Sequence, residues 1–178
     1  MLNNIMTEGE CSKLRSLIHH ANNIVLCCHV SPDGDAIGSV LGMAEVLKCM
    51  GKEPVMVVPD QFPDYLQWLP NTEKIVRYDK RSDYVDMVLK IADLVICLDF
   101  NALSRTDDME AALEACTAPR VLIDHHLNPS IACQVCVSHP NMSSASELVF
   151  RVAWQLGLFE QLGRHFATAV YCGMMTDT

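Results

Sequence analysis

The feature that most constrains this chain is a series of short apolar runs of strand length, separated by longer stretches with helical spacing. Residues 24–28 (IVLCC), 54–58, 94–98 (LVICL) and 120–123 are too short for a buried helix. They also lack the polar–apolar alternation of a strand with one wet face. Shorter strand-like runs are expected at 75–78 and 134–138. Helices are expected over 11–21, 36–50, 84–92, 109–116, 143–156 and 160–175, the second ending at Gly51. Apolar strands alternating with helices imply an α/β fold: a doubly wound, mainly parallel sheet with helices on both faces. A length of 178 residues suits one domain.

Most of these runs end in residues that can do chemistry. His29, Asp33 and Asp35 follow the first strand, Asp99 ends a later one, and Asp124, His125 and His126 end the next. In an open α/β sheet the carboxyl ends of the strands form the ligand crevice, so three strands deliver Asp and His to one edge. Crowded carboxylates repel unless cations hold them. Mixed His/Asp ligation without Cys suits Mn²⁺ first, with Mg²⁺ or Co²⁺ as alternatives. Two such ions about 3.5–4 Å apart would bridge a hydroxide and clamp a phosphoryl group for in-line attack. Asp99 stands alone between the two His-bearing clusters, so it is the expected bridge. Gly34 and Gly38 are expected to help the turn after the first strand. Ser39 is placed near a helix start whose amides could face an anion.

The net charge of −9 argues against a broad grip on long nucleic acid, which needs a Lys/Arg surface. It leaves room for a small phosphate ligand held through divalent cations. The nine cysteines lie mostly in apolar runs, where they behave as small buried hydrophobes. Cys133 and Cys136 have CxxC spacing, but a lone pair is weak zinc evidence and fits a strand better. No apolar run approaches a membrane span and the N-terminus has no secretory pattern. The expected setting is reduced and cytoplasmic. His139 and His165 are read as surface residues. The aromatic loop with Phe62, Tyr65 and Trp68 is read as packing rather than base stacking.

His29-Val30-Ser31-Pro32-Asp33-Gly34-Asp35-Ala36-Ile37-Gly38-Ser39 resembles the first motif of the DHH superfamily of phosphoesterases. Leu98-Asp99, Ile123-Asp124-His125-His126 and Gly173-Met174-Met175-Thr176-Asp177-Thr178 resemble its second, third and fourth motifs, in the same order. Within the superfamily, Ser143 to Leu148 and Ser104-Arg105 resemble the RecJ-like branch of oligoribonucleases and 3′-phosphoadenosine 5′-phosphate (pAp) phosphatases. The resemblance implies that residues 1–178 form the metal-binding catalytic domain. His29 and Asp33 would hold one ion, Asp35, His125 and Asp177 the second, and Asp99 both. Asp124 would orient a ligand imidazole. His126 would contact the substrate phosphate or assist the leaving group, with Arg105 a further phosphate contact and Glu147 a weaker one.

The same resemblance implies hydrolysis of short oligoribonucleotides or pAp by a hydroxide that two metals activate. A phosphoanhydride hydrolase, a cyclic-dinucleotide phosphodiesterase and a non-catalytic nucleotide binder are the alternatives. Family members usually add a smaller C-terminal DHHA1-type domain that grips the nucleotide, and nothing in the sequence matches it. The chain is therefore expected to be a piece of a longer protein. The expected partner is a short oligonucleotide or small nucleotide, with a homo-oligomer left open.

Overall fold

A computed structural model describes residues 3–177. Six strands, β1 (Ile24–Cys27), β2 (Val55–Val58), β3 (Val76–Arg77), β4 (Leu94–Leu98), β5 (Arg120–Asp124) and β6 (Val135–Ser138), form one sheet in the order β3-β2-β1-β4-β5-β6. Every neighbouring pair is parallel. The helices are α1 (Glu8–His20), α2 (Gly34–Cys49), α3 (Tyr78–Ile91), α4 (Glu110–Ala115), α5 (Ala145–Gln155) and α6 (Arg164–Asp177).

Because strand side chains alternate between faces, the sheet divides the apolar residues into two cores. Leu26, Ile96 and Ile123 pack with α1, α2, α5 and α6, while Val25, Val95, Cys97 and Leu122 pack with α3 and α4. Fully burying such an aliphatic side chain stabilises by about 1.5–3 kcal/mol. The doubly wound parallel architecture expected from the apolar runs is the one found.

Several boundaries differ from the sequence expectation for local reasons. α1 starts three residues early because Thr7 and Glu10 form a reciprocal capping box. α2 starts at Gly34 because Asp33 caps it, accepting from the amides of Asp35 and Ala36. α3 reaches back to Tyr78 across a kink at Arg81 (φ −142°, ψ 45°), where the polar run Asp79 to Ser82 carries no apolar period. The expected final helix is a 3₁₀ turn, Phe159–Gln161, followed by α6 after Gly163. Cys136 lies on β6, but Cys133 precedes it, and both thiols are free.

Helix α6 packs chiefly on α2 and α5, and glycine controls that approach. Gly34 and Gly38, expected to help the turn after β1, both lie on α2, Gly38 within the helix expected over 36–50. A Cβ at Gly38 would stand 2.6 Å from the Ala169 carbonyl and 3.0 Å from the Gly173 backbone, and one at Gly34 would overlap Thr176. Four residues apart, they share one face of α2 and let α6 lie against it. Asp177, near the end of α6, thereby reaches the sheet edge. Gly38→Ala is expected to destabilise the fold by about 1–3 kcal/mol. Gly163→Ala, where nothing lies within 4 Å of the added carbon, serves as the control. Urea midpoints of the two variants check this, and equal midpoints would refute the packing role.

Candidate metal centre

In a sheet ordered 3-2-1-4-5-6 the chain runs outward in opposite directions from the β1/β4 pair, and a crevice opens beyond the carboxyl ends of those two strands. His29 lies two residues past β1, and Asp99 follows β4 directly. Asp99 adopts a left-handed backbone (φ 65°) and its amide donates to the Ile123 carbonyl at 3.1 Å. That conformation is uncommon outside glycine, although Asp tolerates it better than most residues. It marks a strained position at the centre of the edge.

The Asp99 carboxylate is almost wholly buried and faces an imidazole on each side. Oδ2 stands 3.4 Å from His29 Nε2, and Oδ1 stands 3.4 Å from His125 Nε2. Neither pair is aligned as a hydrogen bond, and Oδ1 is buried with no hydrogen-bond partner among the described residues. An anionic oxygen in that condition is costly. Both imidazoles are held from behind by main-chain carbonyls. His29 Nδ1 donates to Val30 O at 2.7 Å, and His125 Nδ1 lies 3.3 Å from Met142 O. A carbonyl can only accept, so each Nδ1 carries the proton and each Nε2 turns toward the carboxylates. Ligand histidines are commonly oriented in this way.

The remaining expected ligands gather around these two rings. Asp33 Oδ1 is 3.9 Å from His29 Nε2. Asp35 Oδ2 and Asp177 Oδ2 lie 3.8 and 3.5 Å from His125 Nε2. Three sets offer ligand atoms that lie within 4.8 Å of one another: His29, Asp33 and Asp99; Asp35, His125 and Asp177; and Asp99, His125 and His126. The first two bring together the residues expected around each ion; Asp99, expected in both, belongs to the first and stands 3.4 Å from His125 of the second. Asp35 is itself held by α5. Its oxygens accept from the Ala145 and Ser146 amides at 2.6 and 2.8 Å, at a helix start capped by Ser144. These amides were not anticipated, although the Ser144-x-x-Glu147 pattern marks a helix start.

The proton affinities record the shortage of positive charge. Burial pushes the Asp35 carboxyl up to about 7, with the Asp99 charge adding and the α5 amides partly offsetting. Contact with Asp99 carries His125 up to about 9 against its own burial, and Asp35 and Asp177 add to the rise. Burial alone would lower His29, but Asp99, the Val30 carbonyl and Asp33 raise it. Asp99 itself is drawn below the usual carboxylate range because the two imidazoles outweigh its burial. A divalent cation would supply this missing charge. The all-O/N donor set and the partnerless Asp99 oxygen fit such an ion.

Other expectations need revision. Asp124 is wholly buried and accepts from His126 Nδ1 at 2.7 Å and from the His126 amide at 3.1 Å. The ring it orients is that of His126, the expected phosphate contact, where a ligand imidazole was expected. Ser39 is buried with its hydroxyl on the Ala36 carbonyl, which removes it from the site. Glu147 is engaged by Ser143 and Arg151. Arg105 is exposed, and its carbonyl accepts from the Val30 amide. Phe62 packs on the core, but Tyr65 and Trp68 are exposed. His165 is exposed as expected. His139 is half-buried, tied through Nε2 to the Ile5 carbonyl. Thr178 of the fourth motif lies outside the described residues.

Known proteins resemble this chain in sequence and fold. The model of the DHH family, N-terminal domain, matches residues 23–174. The bifunctional oligoribonuclease and PAP phosphatase NrnA of Thermus thermophilus is 32% identical over 158 residues, covering 87% of this chain and 43% of that protein. The crystal structure of an exopolyphosphatase-related protein from Bacteroides fragilis superposes with a TM-score of 0.96 at 41% identity, over 99% of this chain and 52% of that one. RecJ in complex with Mn²⁺, from Thermus thermophilus, shares the fold with a TM-score of 0.55 at 14% identity, over 95% of this chain and 24% of its own. The chain thus spans about half the length, or less, of these relatives.

In protein stripped of divalent ions, the sign of the pH dependence follows from the shifts. His125 rises from 6.5 to about 9 and Asp35 from 3.8 to about 7 on folding. The folded state then binds more protons than the unfolded chain between each pair of values, so stability falls as pH rises through them. The melting temperature in chelator is expected to fall between pH 6.5 and about 9. Added Mn²⁺ should raise it most at the alkaline end, where protons no longer compete for the ligands. Thermal unfolding with and without Mn²⁺ checks this; a melting temperature that rises with pH in chelator would contradict it.

Proposed function

Because this chain belongs to the DHH family, we propose that it is the cation-binding part of a phosphoesterase that hydrolyses short oligoribonucleotides, pAp or both. The observation that carries this reading is the Asp99 carboxylate, with Oδ2 directed at the His29–Asp33 group and Oδ1 at the His125 group. His29, Asp33 and Asp99 would hold one divalent ion, and Asp35, His125, Asp177 and Asp99 a second, with Mn²⁺ the first choice. When bound, such ions acidify water and neutralise phosphoryl charge.

The chain's own groups do the rest. In the neutral rings of His29 and His125 a carbonyl keeps the proton on Nδ1, so Nε2 is the nitrogen that faces the carboxylates and would take an ion. His126 is different: its Nδ1–H is committed to Asp124, so Nε2 is the nitrogen left for the substrate. Its Nε2 can then donate to a phosphate oxygen or to the leaving oxygen, the general-acid part of the reaction. Arg105, exposed beside the Val30 loop, is proposed to contact the phosphate. The acidic composition favours a substrate that meets the ions at one phosphate over a long polymer tracked along its backbone. A phosphoanhydride substrate is the second reading, since the Bacteroides fragilis relative at 41% identity is described as exopolyphosphatase-related.

Mn²⁺-dependent release of AMP from a ribodinucleotide or from pAp is the expected activity. Asp99→Asn is expected to leave less than about 1% of it, a larger loss than the roughly 10–100-fold typical of groups behind the ligands. Pyrophosphate turnover without AMP release would transfer the assignment to the anhydride reading. Asp99→Asn with full activity would end the bridging role. Arg105→Ala is expected to raise KM by about tenfold with little change in kcat, as loss of one phosphate contact should.

A further inference from the structure

Two contacts around His29 lie outside the ligand cluster. The Val30 amide donates to the Arg105 carbonyl at 2.7 Å. The Ser31 amide donates to Asp60 Oδ1 at 2.6 Å, and the Ser31 hydroxyl lies 3.5 Å from Asp60 Oδ2. Ser31 is in the left-handed region (φ 52°), where a non-glycine residue persists only if its surroundings hold it. Asp60 is well placed to do so. It lies two residues past the end of β2, which pairs with β1 in register Cys27↔Val57.

The Ser31 N–H and the Val30 C=O belong to one planar peptide unit. That unit donates to Asp60 on one side and accepts from His29 Nδ1 on the other, at 2.7 Å. A carboxylate on the amide polarises the peptide and strengthens its carbonyl as an acceptor. Many metal-binding histidines have a carboxylate directly behind the ring. Here a peptide group stands between the two.

We propose that Asp60 is a positioning residue, which acts through the Val30–Ser31 peptide to hold His29 as its Nδ1–H form and so present Nε2 to Asp33 and Asp99. Its consequence for metal binding rests on the two-ion reading above. Asp60 touches neither substrate nor ligand atoms in this role. A mere turn-capping role would leave the His29 ring indifferent to the charge at residue 60.

The test compares Asp60→Ala and Asp60→Asn with the wild-type chain. Ring ¹⁵N and Nδ1 proton shifts of His29 are read in ion-free protein at a pH where the ring is neutral, and Mn²⁺ affinity is read by electron paramagnetic resonance. Asp60→Ala should move His29 toward the Nε2–H tautomer and weaken Mn²⁺ binding about 10–100-fold. Asp60→Asn keeps an acceptor, so it should retain the tautomer, move the Nδ1 proton upfield and recover most of the affinity. Folded Asp60→Ala protein with wild-type ring shifts and wild-type affinity would overturn the proposal. If that variant does not fold, an unmoved Nδ1 proton in Asp60→Asn overturns it. If wild-type protein takes up no Mn²⁺, the two-ion reading fails by itself. The ring shifts then still decide: a tautomer change on loss of Asp60 upholds the relay, and unchanged shifts reject it.

Discussion

The centre of this molecule is a buried carboxylate whose charge is only partly matched. Asp99 is 2% exposed, adopts a left-handed backbone and, among the described residues, has no hydrogen-bond partner for Oδ1. Such a group survives only if the surroundings supply positive charge. The fold brings His29 from β1 and His125 from β5 to its two oxygens. It then adds Asp33, Asp35 and Asp177 around those rings, so that acid exceeds base once more. The raised proton affinities of Asp35 and His125 express this imbalance. A cluster with so much uncompensated acid is one that a compact cation would suit.

Two structural devices make the crowding tolerable. The first is the strand order. It places β1, β4 and β5 side by side, so three strand ends share one crevice without any long loop. The second is a layer of main-chain groups behind the side chains. Carbonyls of Val30 and Met142 hold the imidazoles, and amides of Ala145 and Ser146 hold Asp35. Main-chain groups that the fold already holds in place lose little further entropy in holding these side chains. The close approach of α6 at Gly38 then delivers Asp177 as the last carboxylate.

Much of this was legible in the sequence. Apolar runs without alternation announced a parallel sheet, and the Asp and His residues at their ends named the edge where chemistry collects. The Asp and His residues anticipated as ligands lie close together at that edge. What the sequence could not show was contact made through backbone. Asp124 stands beside His125 in the chain, yet the turn after β5 directs it to His126. Gly34 and Gly38 resembled turn residues because they follow a strand, but their spacing of four is a helix-face spacing. Asp60 carried no signal at all, since its partner is the amide of a residue 29 positions away. A side chain that acts on main chain leaves no pattern of residue types to recognise.

The acidity of the whole chain sharpens the functional argument. With 22 acidic and 13 basic side chains, the protein should repel a phosphate at long range. A phosphate can therefore be held only where local charge is inverted, and bound divalent ions invert it over one or two phosphate groups at most. A site of that kind discriminates by the size of the anion. A long strand brings many further phosphates into an unfavourable field, whereas a dinucleotide or a nucleoside bisphosphate brings few. The preference for small substrates proposed above would then follow from the same excess of carboxylates that would draw cations in.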